Sequence, residues 1–165
     1  MLTMKHIWIP ALVITVAMSA CGRRQGQEVT STSSAHIAAP TNPNDTAAWE
    51  TYMVQVGKVN NNGMANRPYL FIVPSGDVPS AHDRRQQIQQ VLADMASRNG
   101  FPGNVISVGG PDPAMTADVL KAAFGAAKPG TLKTLSVLYI GDDTNKPQVE
   151  KSITTAGAAF QYAKL

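Results

Sequence analysis

The central part of the chain alternates between two hydrophobic periods. Tyr69-Leu70-Phe71-Ile72-Val73, Asn104-Val105-Ile106-Ser107-Val108 and Leu135-Ser136-Val137-Leu138-Tyr139-Ile140 are short runs rich in β-prone apolar residues. Between them, apolar residues recur at helical spacing: Ile88, Val91, Leu92 and Met95 within 83–99, then Val119, Leu120, Ala123 and Phe124 within 116–127. A further helix is predicted over 147–156 and a last strand over 159–165. Turn-forming clusters punctuate these elements: Pro74-Ser75-Gly76-Asp77, Gly109-Gly110-Pro111, Pro129-Gly130 and Gly141-Asp142-Asp143. Ahead of them, Asp45 has the character of an N-cap for a helix over 46–58, with Trp49, Tyr52, Met53, Val56 and Val59 on one face. Residues 52–59 also satisfy a strand pattern, which competes with the helix. Asn60-Asn61-Asn62-Gly63 ends that element.

Strands that are apolar throughout need a sheet covered on both faces. Their alternation with helices argues βαβ units joined by right-handed crossovers. The expected fold class is therefore α/β: a small three-layer sandwich in residues 45–165, with a mainly parallel sheet of three or four strands and helices on both faces. The last strand is open to either direction, and the sequence leaves the strand order open.

The N-terminal part has a different grammar. Residues 1–6 carry Lys5, and Ile7 to Ala20 form a 14-residue apolar run interrupted only by Pro10, Thr15 and Ser19. A bilayer-spanning helix needs about 20 apolar residues, so the run reads as a secretory signal peptide over 1–20, in preference to a retained short anchor. From Gly22 to Asn44 there is no helical or strand period, but a Thr-Ser-Thr-Ser-Ser run, Pro40 and Pro43. Such a stretch buries too little apolar surface to offset its chain entropy. It is expected to be a flexible linker, with a coil span of about 25–30 Å.

Composition narrows the chemistry. The 165 residues hold 14 Lys+Arg, 11 Asp+Glu and one cysteine, and only 15% are charged. A single cysteine excludes a disulfide framework and a CxxC-type zinc site. The sparse charge argues against a nucleic-acid partner, and removal of Lys5 with the leader leaves 13 basic against 11 acidic side chains. Arg84, Arg85 and Arg98 read as the solvated face of their helix, while Arg23 and Arg24 stand where they can meet anionic headgroups.

The sole cysteine closes the apolar run. Met18-Ser19-Ala20-Cys21 resembles the lipobox of bacterial lipoproteins: an apolar residue, two small ones, then Cys. The resemblance covers residues 1–21 only, and Met18 stands where Leu is commoner. It implies thioether attachment of diacylglycerol to Cys21, cleavage before it, and acylation of the new amino group. Lipidation accounts for both the presence and the position of an odd thiol, whereas a catalytic thiol needs a neighbouring base that Gly22 and Arg23 do not supply. Two or three acyl chains, at about 0.8 kcal/mol per buried CH₂, make a durable anchor. The Gly22 after the cysteine replaces the Asp that tends to retain such proteins in the inner membrane of Gram-negative bacteria. The resemblance thus implies the outer membrane with the domain facing the periplasm, or an outward-facing domain in an organism with one membrane.

Candidate chemistry in the domain follows from the rule that open parallel sheets bind ligands beyond the carboxyl ends of their strands. Those loops carry Ser75, Asp77 and His82 after the first strand, Asp112 after the second, and Asp142 and Asp143 after the third. Asp77, Asp112 and Asp142 are the residues for a Mg²⁺-like or Ca²⁺-like cation or a polar ligand. Turn and cap chemistry competes for the same carboxylates, since Asp83, Asp112 and Asp142 stand where caps belong. A hydrolytic triad of Ser75, His82 and one Asp lacks the flanking glycines of a nucleophile elbow, and no GxGxxG or GxxxxGK[ST] motif follows a strand.

The leading expectation is a non-enzymatic envelope lipoprotein that binds another protein, as part of an envelope or secretion assembly or as a toxin inhibitor, without a cofactor. The competing one is a membrane-tethered small-ligand or metal-binding domain with hydrolase chemistry. A passive spacer is a third.

Overall fold

The computed structural model describes residues 37–60, 68–98 and 105–165. The expected signal peptide, Cys21, Arg23, Arg24 and the first part of the expected linker lie outside the described residues. So do Asn61 to Gly63, Asn99 and Asn104.

The elements are α1 (Thr46–Asn60), β1 (Tyr69–Ile72), α2 (Pro79–Ser97), β2 (Val105–Gly109), α3 (Pro113–Gly125), β3 (Ser136–Gly141), α4 (Lys146–Ala156) and β4 (Ala159–Lys164). The four strands form one sheet in the order β1-β2-β3-β4, and all three pairings are parallel. The fold is thus α/β, as the alternation predicts, and β4 takes the parallel option.

Strand order decides where the helices go. Each right-handed crossover that steps to the next strand in the same direction places its helix on the same face. With sequential order, α2, α3 and α4 share one face, where Ile88, Leu92, Leu120, Phe124, Val149 and Ile153 pack on Ile106, Val108, Val137 and Tyr139. The opposite face is left to α1, which precedes the sheet. Its Trp49, Tyr52, Met53 and Val56 pack on Leu138 and Ile140, with Leu70, Ile72, Ala163 and Leu165 at the margins.

Several boundaries differ from the sequence pattern, for identifiable reasons. α2 starts at Pro79 rather than Asp83, and α3 at Pro113 rather than Thr116. In both, proline occupies the first helical turn, where its missing N–H is no loss and its fixed φ suits the helix. Asp83 consequently lies inside α2 and is no cap, because the N-cap is Val78 and makes no side-chain bond. Asp45 does cap α1, with Oδ1 accepting from the Ala48 N–H at 3.0 Å. Val59 and Val91, expected inside, are 55% and 41% exposed. Val59 belongs to the last turn of α1, and Val91 lies on the outer flank of α2.

The last part of the expected linker packs on the domain. Ile37 and Ala39 pack against the α1 cluster, and the Trp49 indole Nε1–H donates to the Asn42 carbonyl at 3.1 Å. Residues 37–44 therefore belong to the folded body. They have no period of their own because the α1 cluster supplies their partners. At the other end, α4 closes on Gly157 at φ 95°, where an added Cβ would stand 2.8 Å from the Gly130 backbone. Two features therefore hold that position to glycine.

Candidate functional site

The loops beyond the strand ends use most of their carboxylates locally. Asp112 is the N-cap of α3, its Oδ1 accepting from the N–H groups of Ala114 at 2.9 Å and Met115 at 3.1 Å. Asp142 is the turn carboxylate ahead of α4. Its Oδ1 accepts from the Asn145 N–H at 2.9 Å, and the Asn145 amide donates to both carboxylate oxygens. These bonds are what a short polar side chain does at the start of a helix.

After β1 the arrangement is different. Asp77 is exposed, and Ser75 is half-buried beside it. His82 is exposed in the first turn of α2, its ring Nε2 3.0 Å from the Gln86 amide nitrogen. The loop is held by a residue that the helical pattern places on the solvated face: Arg85 donates to the carbonyls of Pro74 at 3.1 Å and Gly76 at 2.7 Å. An arginine on the first turns of a helix, eleven residues past a strand-ending proline, is too common a pattern to signal this role.

The strand-end loops do not converge. Neighbouring strands are about 4.8 Å apart, so the ends of β1 and β3 stand about 10 Å apart. The crevice that gathers ligands in doubly wound sheets forms where strand order reverses, and here the order runs 1-2-3-4 without reversal. Among the described residues, no group of three His, Cys, Asp or Glu side chains is placed to hold a metal ion. Asp77, Asp112 and Asp142 are separate features.

One cluster does form, and it contains a single residue of those the sequence singled out. Asp143 forms an ion pair with Lys164, and the Tyr162 hydroxyl donates to its Oδ1 at 2.8 Å. The Tyr162 hydroxyl also lies 3.3 Å from the Gly141 carbonyl, Lys146 Nζ stands 4.9 Å above the Tyr162 ring, and the rings of Tyr162 and Tyr139 are 6.0 Å apart. Hydrogen bonds from Lys164 and then Tyr162 hold the Asp143 carboxyl below the usual range. The Lys164 ammonium is raised by the same pair. Burial, then the Asp143 hydrogen bond, pushes the Tyr162 phenol up, and burial foremost raises Tyr139 to about 12. Both tyrosines stay protonated and act as hydrogen-bond donors, Tyr139 to the Pro113 carbonyl at 3.2 Å.

This cluster depends on the pairing of Gly141 with Lys164 across β3 and β4. The spacing Phe160, Tyr162, Lys164 is the available sequence signal, since alternate residues of a strand share a face. Its content is two aromatic rings, two ammonium groups and one neutralised carboxylate at the outer corner of the sheet.

No protein-family profile matches the chain, and no curated protein or solved structure is significantly similar to it. Among the described residues, no helix is long and apolar enough to cross a membrane.

Proposed function

We propose that this chain is a lipid-anchored protein of the bacterial cell envelope whose α/β domain works by binding protein. The observation that carries the reading is the position of the only cysteine, Cys21, directly after a 14-residue apolar run and the small pair Ser19-Ala20. Acylation there gives a permanent hold on the membrane. Gly22 in place of Asp favours the outer membrane, with the domain in the periplasm.

The domain's own features favour recognition by surface over chemistry in a cleft. Asp112 and Asp142 are engaged in helix starts and Asp143 in an ion pair. The sheet has no order reversal to open a crevice. The reach of the domain is bounded too. Because Ile37 already packs on the body, the path from Cys21 to Ile37 spans at most about 55 Å fully extended.

Metabolic labelling with a radioactive fatty acid, followed by membrane fractionation, tests the anchor. The wild-type protein is expected to take label and sediment with membranes, and Cys21→Ser to lose both. Unlabelled wild-type protein, or a Cys21→Ser variant still labelled, overturns the reading.

A further inference from the structure

The two edges of the sheet are not equivalent. β1 has four residues and is bracketed by Pro68 and Pro74, residues that discourage pairing at an edge. β4 has six residues, AFQYAK, and no proline. The one charge that would guard it, Lys164, is turned to Asp143. The N–H groups of Ala159 and Leu165 bond to the Leu135 and Gly141 carbonyls of the β3 side. By strand alternation, the backbone groups of Phe160, Tyr162 and Lys164 point outward from the sheet.

We infer that the β4 edge pairs antiparallel with β4 of a second copy of this chain, around a twofold axis at Gln161, joining two four-stranded sheets into one of eight strands.

Geometry selects both the symmetry and the register. An axis perpendicular to the sheet keeps the three-helix faces of both copies on the same side. Outward-pointing residues must then oppose outward-pointing ones, which leaves registers centred on 160, 161 or 162. Charge decides among these. Lys146 lies over the Tyr162 ring and so is level with Tyr162. Glu150, one turn further along α4, stands about 6 Å toward the start of β4, level with Phe160. Gln148 faces α3 through Lys121, and Val149 and Ile153 face the sheet, so helical spacing puts Lys146 and Glu150 on the flank toward the β4 edge.

A centre at Tyr162 would set Lys146 against its own copy, and a centre at Phe160 would do the same with Glu150. Only the centre at Gln161 sets each Lys146 opposite the partner's Glu150. The same register opposes Phe160 to the partner's Tyr162 as an aromatic cross-strand pair, with mutual backbone hydrogen bonds. The surface is isologous, as a twofold dimer requires.

Single cysteines introduced into the full-length chain carrying Cys21→Ser test this independently of the lipid anchor. Gln161→Cys sits at a non-hydrogen-bonded pair, where Cα atoms are about 4.5 Å apart, and oxidation should give a reducible product of twice the chain mass. Ala159→Cys and Ala163→Cys should each fail alone, since like residues are then about 13 Å apart. Those two variants, co-expressed with different tags, should cross-link to each other. Lys146→Glu should cut the Gln161→Cys yield about fivefold, and adding Glu150→Lys should restore it. Equal yields at 159, 161 and 163, a product of any other mass, or no product at 161 would overturn the inference.

Discussion

The two faces of the sheet solve the same packing problem with different means. Under α2, α3 and α4 the buried side chains are apolar save for the hydroxyls of Thr116 and Tyr139, which are satisfied by the Asp112 carbonyl at 2.9 Å and the Pro113 carbonyl at 3.2 Å. Under α1 the sheet presents Ser107, Ser136 and Gln161. The Gln161 amide donates to Ser136 Oγ at 3.1 Å, while Ser107 Oγ and Gln161 Oε1 are buried without a partner. The three-helix face is assembled from neighbouring βαβ units. The other face joins residues 37–60 to β1 and also to 138–165, so part of its contacts close long loops and depend on β3 and β4 being in place. The first face buries the larger cluster and should supply most of the stability, with the second expected to be the layer able to open by itself.

The largest effects should separate the two. Leu120 is fully buried in α3, and Leu120→Ala should cost about 3–4 kcal/mol, read as a lower urea midpoint at unchanged slope. Trp49→Ala removes a buried indole and its bond to Asn42. Hydrogen exchange should then show α1 amides losing protection well before β2 and β3, whereas Leu120→Ala should lower protection throughout. Uniform loss in both variants would mean that the faces unfold as one.

A pH test comes next in size, because each face holds a raised tyrosine. Burial raises Tyr52 under α1, and Tyr139 stands at about 12 under the three helices. A phenol that ionises later when folded leaves stability flat below pH 10, where both states hold the proton. Above pH 10 the unfolded chain releases protons that the native one keeps, so stability falls toward pH 12. Each such group can contribute a slope of up to about 1.4 kcal/mol per pH unit. Urea midpoints should agree at about pH 8 and 9 and drop at about pH 11, with phenolate absorbance rising as the protein unfolds. Phenolate forming at Tyr52 or Tyr139 in the ordinary tyrosine range in a native fold, identified by comparison with Tyr52→Phe and Tyr139→Phe, would refute the burial account.

How much of this was legible in the sequence differs by face as well. The strands announced themselves as apolar runs, and the inward residues Ile88, Leu92, Leu120 and Phe124 followed from periodicity alone. Proline at the starts of α2 and α3 read as loop, because a helix-opening proline and a turn proline look alike without their neighbours. Face assignment was not legible, since strands buried on both sides carry no in/out alternation. The Asp143 cluster was half visible: the carboxylate stood out as a strand-end residue, but Tyr162 and Lys164 join it only through the β3–β4 register. The packing of Ile37 and Ala39 left no local trace, because the cluster they join is made by the α1 side chains together with Leu138 and Ile140 of β3.

Smaller effects probe the α1 layer directly. Gly57 is buried in α1, and a Cβ added there would meet Ser107 Oγ at 3.7 Å and Pro68 Cγ at 3.8 Å, ordinary contact distances. Gly57→Ala should therefore stabilise by about 0.5–1 kcal/mol through helix propensity and reduced unfolded-state entropy. A loss of stability would show that α1 sits closer to β2 than these contacts allow.

Ser107→Ala is the smallest and most pointed of these tests. A buried hydroxyl without a partner keeps its desolvation cost and gains no hydrogen bond in return. Deleting that oxygen leaves a space no larger than one atom, beside Gly57, so the gain from removing the orphan should exceed the loss of packing. The expected result is a rise of about 0.5 kcal/mol in the urea-derived stability, confined to the α1 layer in hydrogen exchange. The equivalent change on the opposite face has the reverse sign: Thr116→Ala removes a satisfied hydroxyl and should destabilise by about 1 kcal/mol. If both substitutions destabilise alike, Ser107 has a partner in solution, and the contrast between a polar, loosely matched face and a dry, fully matched one would have to be given up.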